Sequence, residues 1–193
     1  MALDFIISAV IISLFSLSGG VIALVALNKF QKYSKYALLA TLFLTIIIIS
    51  ELMKEGFAVT GFITFSLVAG VAVLYAVKKV YKNQTQFFHE FPKVIAFAAS
   101  YAIAVDLGQA IAILLSLHYI PQAGLFVLPL LTQNKTKQAF KELAITHFKF
   151  IVIGLIAFVI ISSLTQTLKA YTITFAAGMM LFIVIEEGLL LKK

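Results

Sequence analysis

The sequence predicts an all-α polytopic membrane protein with about seven transmembrane helices. Of its 193 residues, 62% are hydrophobic and only 12% are charged, whereas soluble proteins average about 45–50% apolar and about 25% charged residues. Several apolar runs also approach the roughly 20 helical residues that cross a hydrocarbon core of about 30 Å. Lysines, finally, gather in alternate connections between these runs. Residues 1–193 are therefore treated as a single integral membrane domain.

The apolar runs, taken in order, predict seven spans joined by short polar segments. The first run lacks the basic leader and cleavage site of a signal peptide, so we expect it to be retained. Gly61 and Gly70 are expected to be points of close helix packing in the third. The stretch 87–131 is too long for one span and breaks best around Asp106. The predicted spans are residues 5–27, 36–53, 57–80, 87–105, 107–131, 143–164 and 171–191.

Lysine placement predicts how the spans are oriented. Cytoplasmic connections carry the basic excess, and successive connections alternate between the two sides of the membrane. With seven spans, one side receives only Lys54 and Lys169. The other side receives Lys29, Lys32, Lys35, Lys78, Lys79, Lys82, Lys93, Lys135, Lys137, Lys141, Lys149, Lys192 and Lys193. We therefore expect the N-terminus outside and the C-terminus inside, in the plasma membrane, with the net charge of +7 attracted to anionic lipid of the bilayer.

Missing residue types exclude several kinds of function. The chain has no cysteine, which excludes disulfides, thiolate zinc sites and catalytic thiols. It has no arginine either, and a nucleic-acid surface would interleave arginine with aromatic residues. The pair His89-Glu90 has no second histidine at Lys93, and Asp106 is the sole mid-chain aspartate, so the intramembrane protease patterns are absent. Neither an enzyme nor a resident cofactor is expected, and nucleic acid is not expected as a partner.

One motif occurs twice and marks the candidate site. His-Glu-Phe-Pro-Lys at 89–93 and His-Tyr-Ile-Pro-Gln at 118–122 are 29 residues apart. Residues i and i+4 share a helix face, and each proline leaves a backbone carbonyl one turn earlier without its helical partner. Polar groups of this kind are costly in a membrane unless they are packed against protein or line a cavity. Imidazole, carboxylate and amide groups make His89, Glu90, His118 and Gln122 the candidate metal ligands, although a histidine bonded to a neighbouring helix explains His118 as well.

Other polar residues are candidates for a transport path, each with a plainer alternative. His147 lies 29 residues after His118, but beside Lys149 it is also typical of an interfacial histidine. Asp106 is either a vestibule charge or a turn residue that caps a helix. Two acidic pairs fall near opposite ends of their spans, which suits an inverted pair of elements or simply marks the bilayer edges. These pairs are Glu51 with Glu55 and Glu186 with Glu187.

The motif pair resembles the fourth and fifth helices of the ZIP (Zrt/Irt-like) metal transporters. That family carries His-Asn-x-Pro-Glu-Gly and His-Glu-x-Pro-Glu-Gly about 30 residues apart. The stretch HYIPQAGLFVLPLLTQNKTK at 118–137 is similar to the family's HEIPEGLAVALPL and the basic loop after it, and FAAGMMLFIVIEEGL at 175–189 is similar to its seventh helix. Residues 38–55 resemble the second helix more weakly. The resemblance implies an eight-helix fold with the N-terminus outside, a binuclear metal site between helices four and five, and elevator-like or rocking transport.

The chain departs from the family at the residues that bind metal. The first family glutamate is Lys93 here, and the acidic positions of the second motif are Tyr119 and Gln122. Both motif glycines are replaced, by Val94 and Ala123. A lysine ammonium repels a nearby divalent cation, so Lys93 is a candidate charge substitute for the metal. The resemblance covers most of the chain, but only the stretches similar to helices five and seven are specific, and the family's eighth helix has no counterpart in the sequence.

Two functions follow from the resemblance and its departures. In the first, the protein transports a divalent metal of the zinc, manganese or iron class, bound by His89, Glu90 and His118. Glu51, Glu55 and Asp106 then collect the cation outside, and Glu186 with Glu187 receive it inside. In the second, the chain keeps the fold without the cation site and acts as a transport-inactive partner or regulator, or as a carrier of a non-metal solute. The sequence leaves a homodimer open.

Overall fold

The structure, a computed structural model, describes residues 2–59, 64–80 and 85–190, without the side chains of 85–87 and 190. Nearly all of these ranges are helical and they contain no strand, which confirms the predicted all-α class. The helices are α1 (Ala2–Val25), α2 (Leu27–Lys32), α3 (Ser34–Val59), α4 (Thr64–Val80), α5 (Thr85–Ile103), α6 (Val105–Leu131), α7 (Thr136–Ser162) and α8 (Gln166–Leu190). Five of them, α1, α3, α6, α7 and α8, are long and apolar enough to cross a membrane. The fold is that of an α-helical membrane protein.

Several predicted helix ends are wrong because helical structure continues into polar sequence. Residues 132–142 were expected to be a connection, but α7 begins at Thr136. The second span was expected to end near Met53, yet α3 continues through buried Gly56 to Val59. Lysine, glutamate and glutamine are strong helix formers, so charge alone does not end a helix. The connection between the first two predicted spans, residues 28–35, contains most of the short helix α2.

The break between the fifth and sixth helices consists of one residue. Ala104 has an extended backbone, with φ −152° and ψ 142°, and is the N-cap of α6. Asp106 is thus in the first turn of α6 and is not its N-cap, which corrects the capping interpretation; the helix dipole favours a carboxylate there. The ring of Tyr101 lies directly over Gly108, so a side chain at that position would collide with it. This close approach lets α5 and α6 pack against each other.

The helices pack in two groups that share an interface. In the first, α1 packs along α6, and α5 packs against α6 and α7; in the second, α3 and α4 both pack against α8. The groups meet where α3 contacts α6 and where α5 contacts α8. Gly19 of α1 faces the backbone of Ile120, and Gly70 of α4 faces that of Phe175. Small residues permit such approaches, as predicted for Gly70, whereas Gly61 lies outside the described residues.

The two ends of the bundle differ in composition. We call the end where α1, α4, α6 and α8 finish, and α3, α5 and α7 begin, the lysine end. An ion pair between Lys78 and Glu186 joins the last turns of α4 and α8 there. The described lysines near this end are Lys29, Lys32, Lys35, Lys78, Lys79, Lys135, Lys137 and Lys141.

The opposite end, which we call the sealed end, is closed by packed aromatic rings. Phe5 lies against Phe97, Phe158 and Tyr101, with ring centroids 4.6, 5.1 and 5.7 Å apart. The Tyr101 hydroxyl is 2.6 Å from Ser8 Oγ, which joins the start of α1 to the end of α5. The predicted turn 165–169 is shorter in the structure, because α8 begins at Gln166. Burial of apolar surface and interlocking rings therefore hold this end together.

Candidate functional site

A cluster of four polar side chains links α5 to α6 inside the bundle. It consists of Glu90 and Lys93 on α5 and Tyr119 and Gln122 on α6, and we call it the Glu90 cluster. Lys93 Nζ donates to Gln122 Oε1 at 2.8 Å and to Glu90 Oε1 at 3.3 Å. Gln122 Nε2 donates to Glu90 Oε1 at 3.0 Å, and the Tyr119 hydroxyl donates to Glu90 Oε2. The carboxylate therefore accepts three hydrogen bonds, and its charge is paired with an ammonium.

The repeated motif places these four side chains together. Glu90 and Tyr119 occupy its second position, and Lys93 and Gln122 its fifth. Positions three apart lie on one face of a helix, so each motif presents two polar groups to its partner. Pro92 and Pro121 lie inside continuous helices. The repeat is thus the sequence feature that builds the cluster.

His118 lies one turn before Gln122 and faces α3. It is 1% exposed, and its Nδ1 is 3.2 Å from the carbonyl oxygen of Thr41 and 3.3 Å from Thr45 Oγ1. Its Nε2 has no hydrogen-bond partner among the described residues. His118 therefore connects the two helix groups.

His89 lies on the other side of α5, toward α8. Its Nδ1 is 3.3 Å from Glu187 Oε1, and its Nε2 is 3.5 Å from Lys78 Nζ. Glu186, the neighbour of Glu187, pairs with Lys78. The structure thus divides the four candidate ligands: Glu90 and Gln122 are bonded to each other, whereas His89 and His118 each bond to a different helix.

His147 is buried, which corrects its interpretation as an interfacial histidine. It is 4% exposed, and its ring lies 5.2 Å from that of Tyr119 and 6.3 Å from that of Phe150. Its Nδ1 has no hydrogen-bond partner within the described ranges. His147 extends the aromatic packing of the bundle as far as the Glu90 cluster.

A cavity of about 620 Å³ leads from the lysine end to the Glu90 cluster. Its outer part is lined by Ser34, Lys35 and Pro129, which lie near helix termini at that end. The polar residues that line the rest of it come from six helices and are Ser16, Thr41, His89, Glu90, Tyr119, Gln122, His147 and Glu187. A volume in this range accommodates a small organic molecule.

The remaining acidic candidates lie toward the sealed end. Asp106 is exposed in the first turn of α6, and Glu51 pairs at 2.6 Å with Lys54 on the surface of α3. Glu55 lies one turn beyond Glu51 on the same helix. None of these three lines the cavity. No three His, Cys, Asp or Glu side chains in the described part of the chain are grouped closely enough to hold a metal ion.

Sequence reasoning missed some of the polar residues that line or support the site. Ser16 is fully buried in α1 and lines the cavity, but nothing in the sequence separates it from Ser13 or Ser18. Thr41 and Thr45, which hold His118, lie four residues apart on α3. That spacing in an otherwise apolar helix marks a polar stripe and could have indicated them.

The fold and the site together define an α-helical membrane protein with an internal polar cluster and a cavity that reaches it. The chain matches no protein-family model, no curated protein and no solved structure. The resemblance to the ZIP transporters, and the metal site it implies, therefore remain predictions from the motifs.

Proposed function

We propose that the protein is a multi-pass membrane carrier of a small non-metal solute, with Lys93 in the position where the ZIP-like motifs would hold a cation. Seven helices, all but the short α2, span the bilayer. The lysine end faces the cytoplasm, since basic residues accumulate on that side of a membrane. The N-terminus is then outside the cell, and the membrane is the plasma membrane. Motion of one helix group against the other, as the resemblance implies, would open the cavity to the opposite side.

The Lys93 ammonium is the observation that carries the proposal. It is 2% exposed and lies 2.8 Å from Gln122 Oε1 and 3.3 Å from Glu90 Oε1. It is therefore hydrogen-bonded to the oxygen atoms that a metal cation bound between α5 and α6 would need as ligands. A divalent ion would have to displace a buried ammonium from the Glu90 carboxylate. Like charges a few ångströms apart repel strongly in a medium of low polarity.

The ligand chemistry of the cluster supports the same conclusion. Glu90 is the only carboxylate among the four clustered side chains, and Tyr119 and Gln122 add two uncharged groups. Manganese and magnesium prefer several hard oxygen ligands, and zinc prefers imidazole or thiolate with open geometry. The cluster offers one carboxylate, already paired with an ammonium, and this suits neither the oxygen-binding metals nor zinc. The cavity beside it has the volume of an organic ligand site.

Isothermal calorimetry of the purified protein with zinc, manganese, cadmium and ferrous ions tests the proposal. We expect no binding by the native chain at millimolar metal. The double variant Lys93→Glu, Gln122→Glu removes the ammonium and adds two carboxylates, so we expect it to bind metal. Lys149→Glu makes the same lysine-to-glutamate change at an exposed position on α7. It serves as the control and should not bind metal. Native binding that disappears in His118→Ala would overturn the proposal.

A divalent metal transporter is the second candidate, favoured by one observation. His118 Nε2 and His147 Nδ1 are both buried without a partner among the described residues, and unprotonated imidazole nitrogens bind transition metals. Radiometal uptake into proteoliposomes measures this function directly. Uptake by the native protein that His118→Ala abolishes would establish it in place of the non-metal carrier.

A further inference from the structure

The interior of the cavity is mainly apolar, although a polar cluster lies at its inner end. Between the mouth and the cluster the walls are formed by Leu38, Ala123, Leu125, Phe126 and Leu143. Such a surface favours the body of an apolar molecule, because burial stabilises it by about 25 cal/mol per Å² of apolar area. A fully polar solute such as a sugar would leave its hydroxyl groups without partners along these walls. The walls therefore select an apolar body.

The acidic groups that line the cavity are already paired. Glu90 accepts from Lys93, Gln122 and Tyr119. Glu187 is 3.3 Å from the His89 ring. Burying an ionised group costs far more than burying a neutral one unless a partner of opposite charge is present. A charged head group at the inner end would thus have to break one of these pairs.

Two uncharged side chains that line the same cavity each have an unpaired polar atom. Ser16 and His147 are at most 4% exposed, and their Oγ and Nδ1 atoms are buried with no hydrogen-bond partner among the described residues. An unmade hydrogen bond at a buried group is costly, so buried polar atoms without a partner are rare in folded proteins. A ligand with one complementary polar group can supply the missing hydrogen bonds.

The packing of α1 on α7 places these two atoms at the same depth. Phe5 of α1 lies against Gly154 of α7, and Gly20 lies against Leu143, so the helices run antiparallel. Ser16 is one turn from Gly20, and His147 is one turn from Leu143 on the facing helix. One head group between α1 and α7 can therefore reach both. A hydroxyl both donates and accepts, and neutral imidazole does so through its two nitrogens.

We infer that the solute is a neutral amphiphile, with an apolar body in the cavity and one hydroxyl, carbonyl or amide head held by Ser16 Oγ and His147 Nδ1. The inference rests on the proposed function, since it names the class of solute for the same cavity. The head lies beside the Glu90 cluster and leaves its ion pair intact. Entry is from the lysine end, past Lys35.

Photolabelling of the full-length protein in phosphatidylcholine nanodiscs tests this inference. The probes are a long-chain alcohol with a diazirine in its chain, and the carboxylate and quaternary ammonium compounds with the same chain. We expect the alcohol to label peptides that contain Leu38, Phe126 or Leu143, and the charged probes to label only lipid-facing positions. Each lost hydrogen bond is worth about 1–1.5 kcal/mol, so Ser16→Ala and His147→Phe should each reduce cavity labelling about tenfold.

Matched variants separate recognition from folding. Ser18→Ala removes a hydroxyl from the same helix that bonds to its own turn, at 2.6 Å from the carbonyl oxygen of Phe15, and should leave labelling unchanged. His147→Phe keeps a ring against Tyr119 and Phe150, and labelling of lipid-facing peptides shows whether each variant is intact. If His147→Phe does not fold, cavity labelling of Ser16→Ala, which loses only one oxygen atom, tests the head-group contact by itself.

The outcomes distinguish this inference from the proposed function. Equal cavity labelling by the three probes, or labelling that Ser16→Ala and His147→Phe do not reduce, overturns the neutral head group. Absence of alcohol labelling in the cavity overturns it as well. Each of these results leaves the non-metal carrier standing as long as calorimetry finds no native metal binding. Native metal binding would instead remove the proposed function itself.

Discussion

The two ends of the bundle each contain a buried lysine, and the two lysines have opposite surroundings. Toward the lysine end, Lys93 is bound to the side chains of Glu90 and Gln122 beside a large cavity. At the sealed end, Lys169 is 9% exposed, and its Nζ donates to the carbonyl oxygen of Ala102 at 2.9 Å. Lys93 thus neutralises an ionised side chain, whereas Lys169 binds the last turn of a helix.

This difference separates a polar site from a structural closure. The carbonyl groups in the last turn of α5 have no helical partners, and a cation there interacts favourably with the helix dipole. Lys169 therefore fastens α8 to α5 where the aromatic rings already close the bundle. Lys93, in contrast, has a charged partner whose hydrogen bonds come from the other helix of the site. Of the two lysines, only Lys93 has partners that line the cavity.

Removal of the Lys93 ammonium is expected to have the largest effect. Lys93→Met leaves the Glu90 charge buried without its cation, which should lower the free energy of unfolding by about 3–5 kcal/mol. Unfolding of the protein in mixed micelles, titrated with a denaturing detergent, measures this loss. The double variant Lys93→Met, Glu90→Gln removes the charge as well and should regain most of the stability. Equal losses in the single and double variants would contradict the paired-charge description.

The second largest effect is expected in the rate at which a cysteine introduced at each end reacts with a thiol reagent. Because the chain has no cysteine, a single introduced thiol reports one position. Leu125→Cys lies in the cavity wall and Ala99→Cys in the fully buried core of α5. Local opening that costs about 3 kcal/mol would make a polar maleimide react about 100-fold more slowly at Ala99→Cys.

The side of the membrane from which Leu125→Cys reacts also tests the orientation. Reaction from the cytoplasmic side of oriented vesicles is expected. Reaction from the outside alone would mean that the lysine end faces outward.

Loss of the Lys169 ammonium should have the smallest effect of the three. Lys169→Met removes one hydrogen bond from a charged donor, worth about 1–3 kcal/mol, and no buried carboxylate is left behind. We expect a modest drop in stability together with faster labelling of Ala99→Cys at the sealed end. Lys54→Met serves as the control, because its exposed pair with Glu51 is worth about 0–1 kcal/mol. Unchanged labelling in Lys169→Met would argue that the aromatic rings alone close this end.

Much of the fold could be predicted because hydrophobicity and length are local properties. Long apolar runs lead to long helices, and the break between α5 and α6 falls within two residues of its predicted place at Asp106. Helix ends were less predictable. The chain from Thr136 to Glu142 is polar, yet it is helical because its residues favour a helix and Ala139 packs inside.

The candidate site was predicted in part. The motif pair brings Glu90, Lys93 and Gln122 together, since the two motifs lie on helices that face each other. His89 and His118 also occupy the same position of the two motifs, but they bond to different helices. In the structure His89 contacts α8 and His118 contacts α3. These partners depend on how all the helices pack, so no local pattern specifies them.

By itself, the sequence determined the helical class, the membrane environment and the pair of motifs that meet between α5 and α6, because these follow from composition and from spacing along the chain. The tertiary structure decided which polar side chains pair with each other. It paired Lys93 with Glu90 and Gln122, turned His89 to Glu187, and left Ser16 and His147 unpaired in the cavity among the described residues. Those pairings depend on distances of a few ångströms between helices far apart in sequence, and such distances arise only when all the helices pack together.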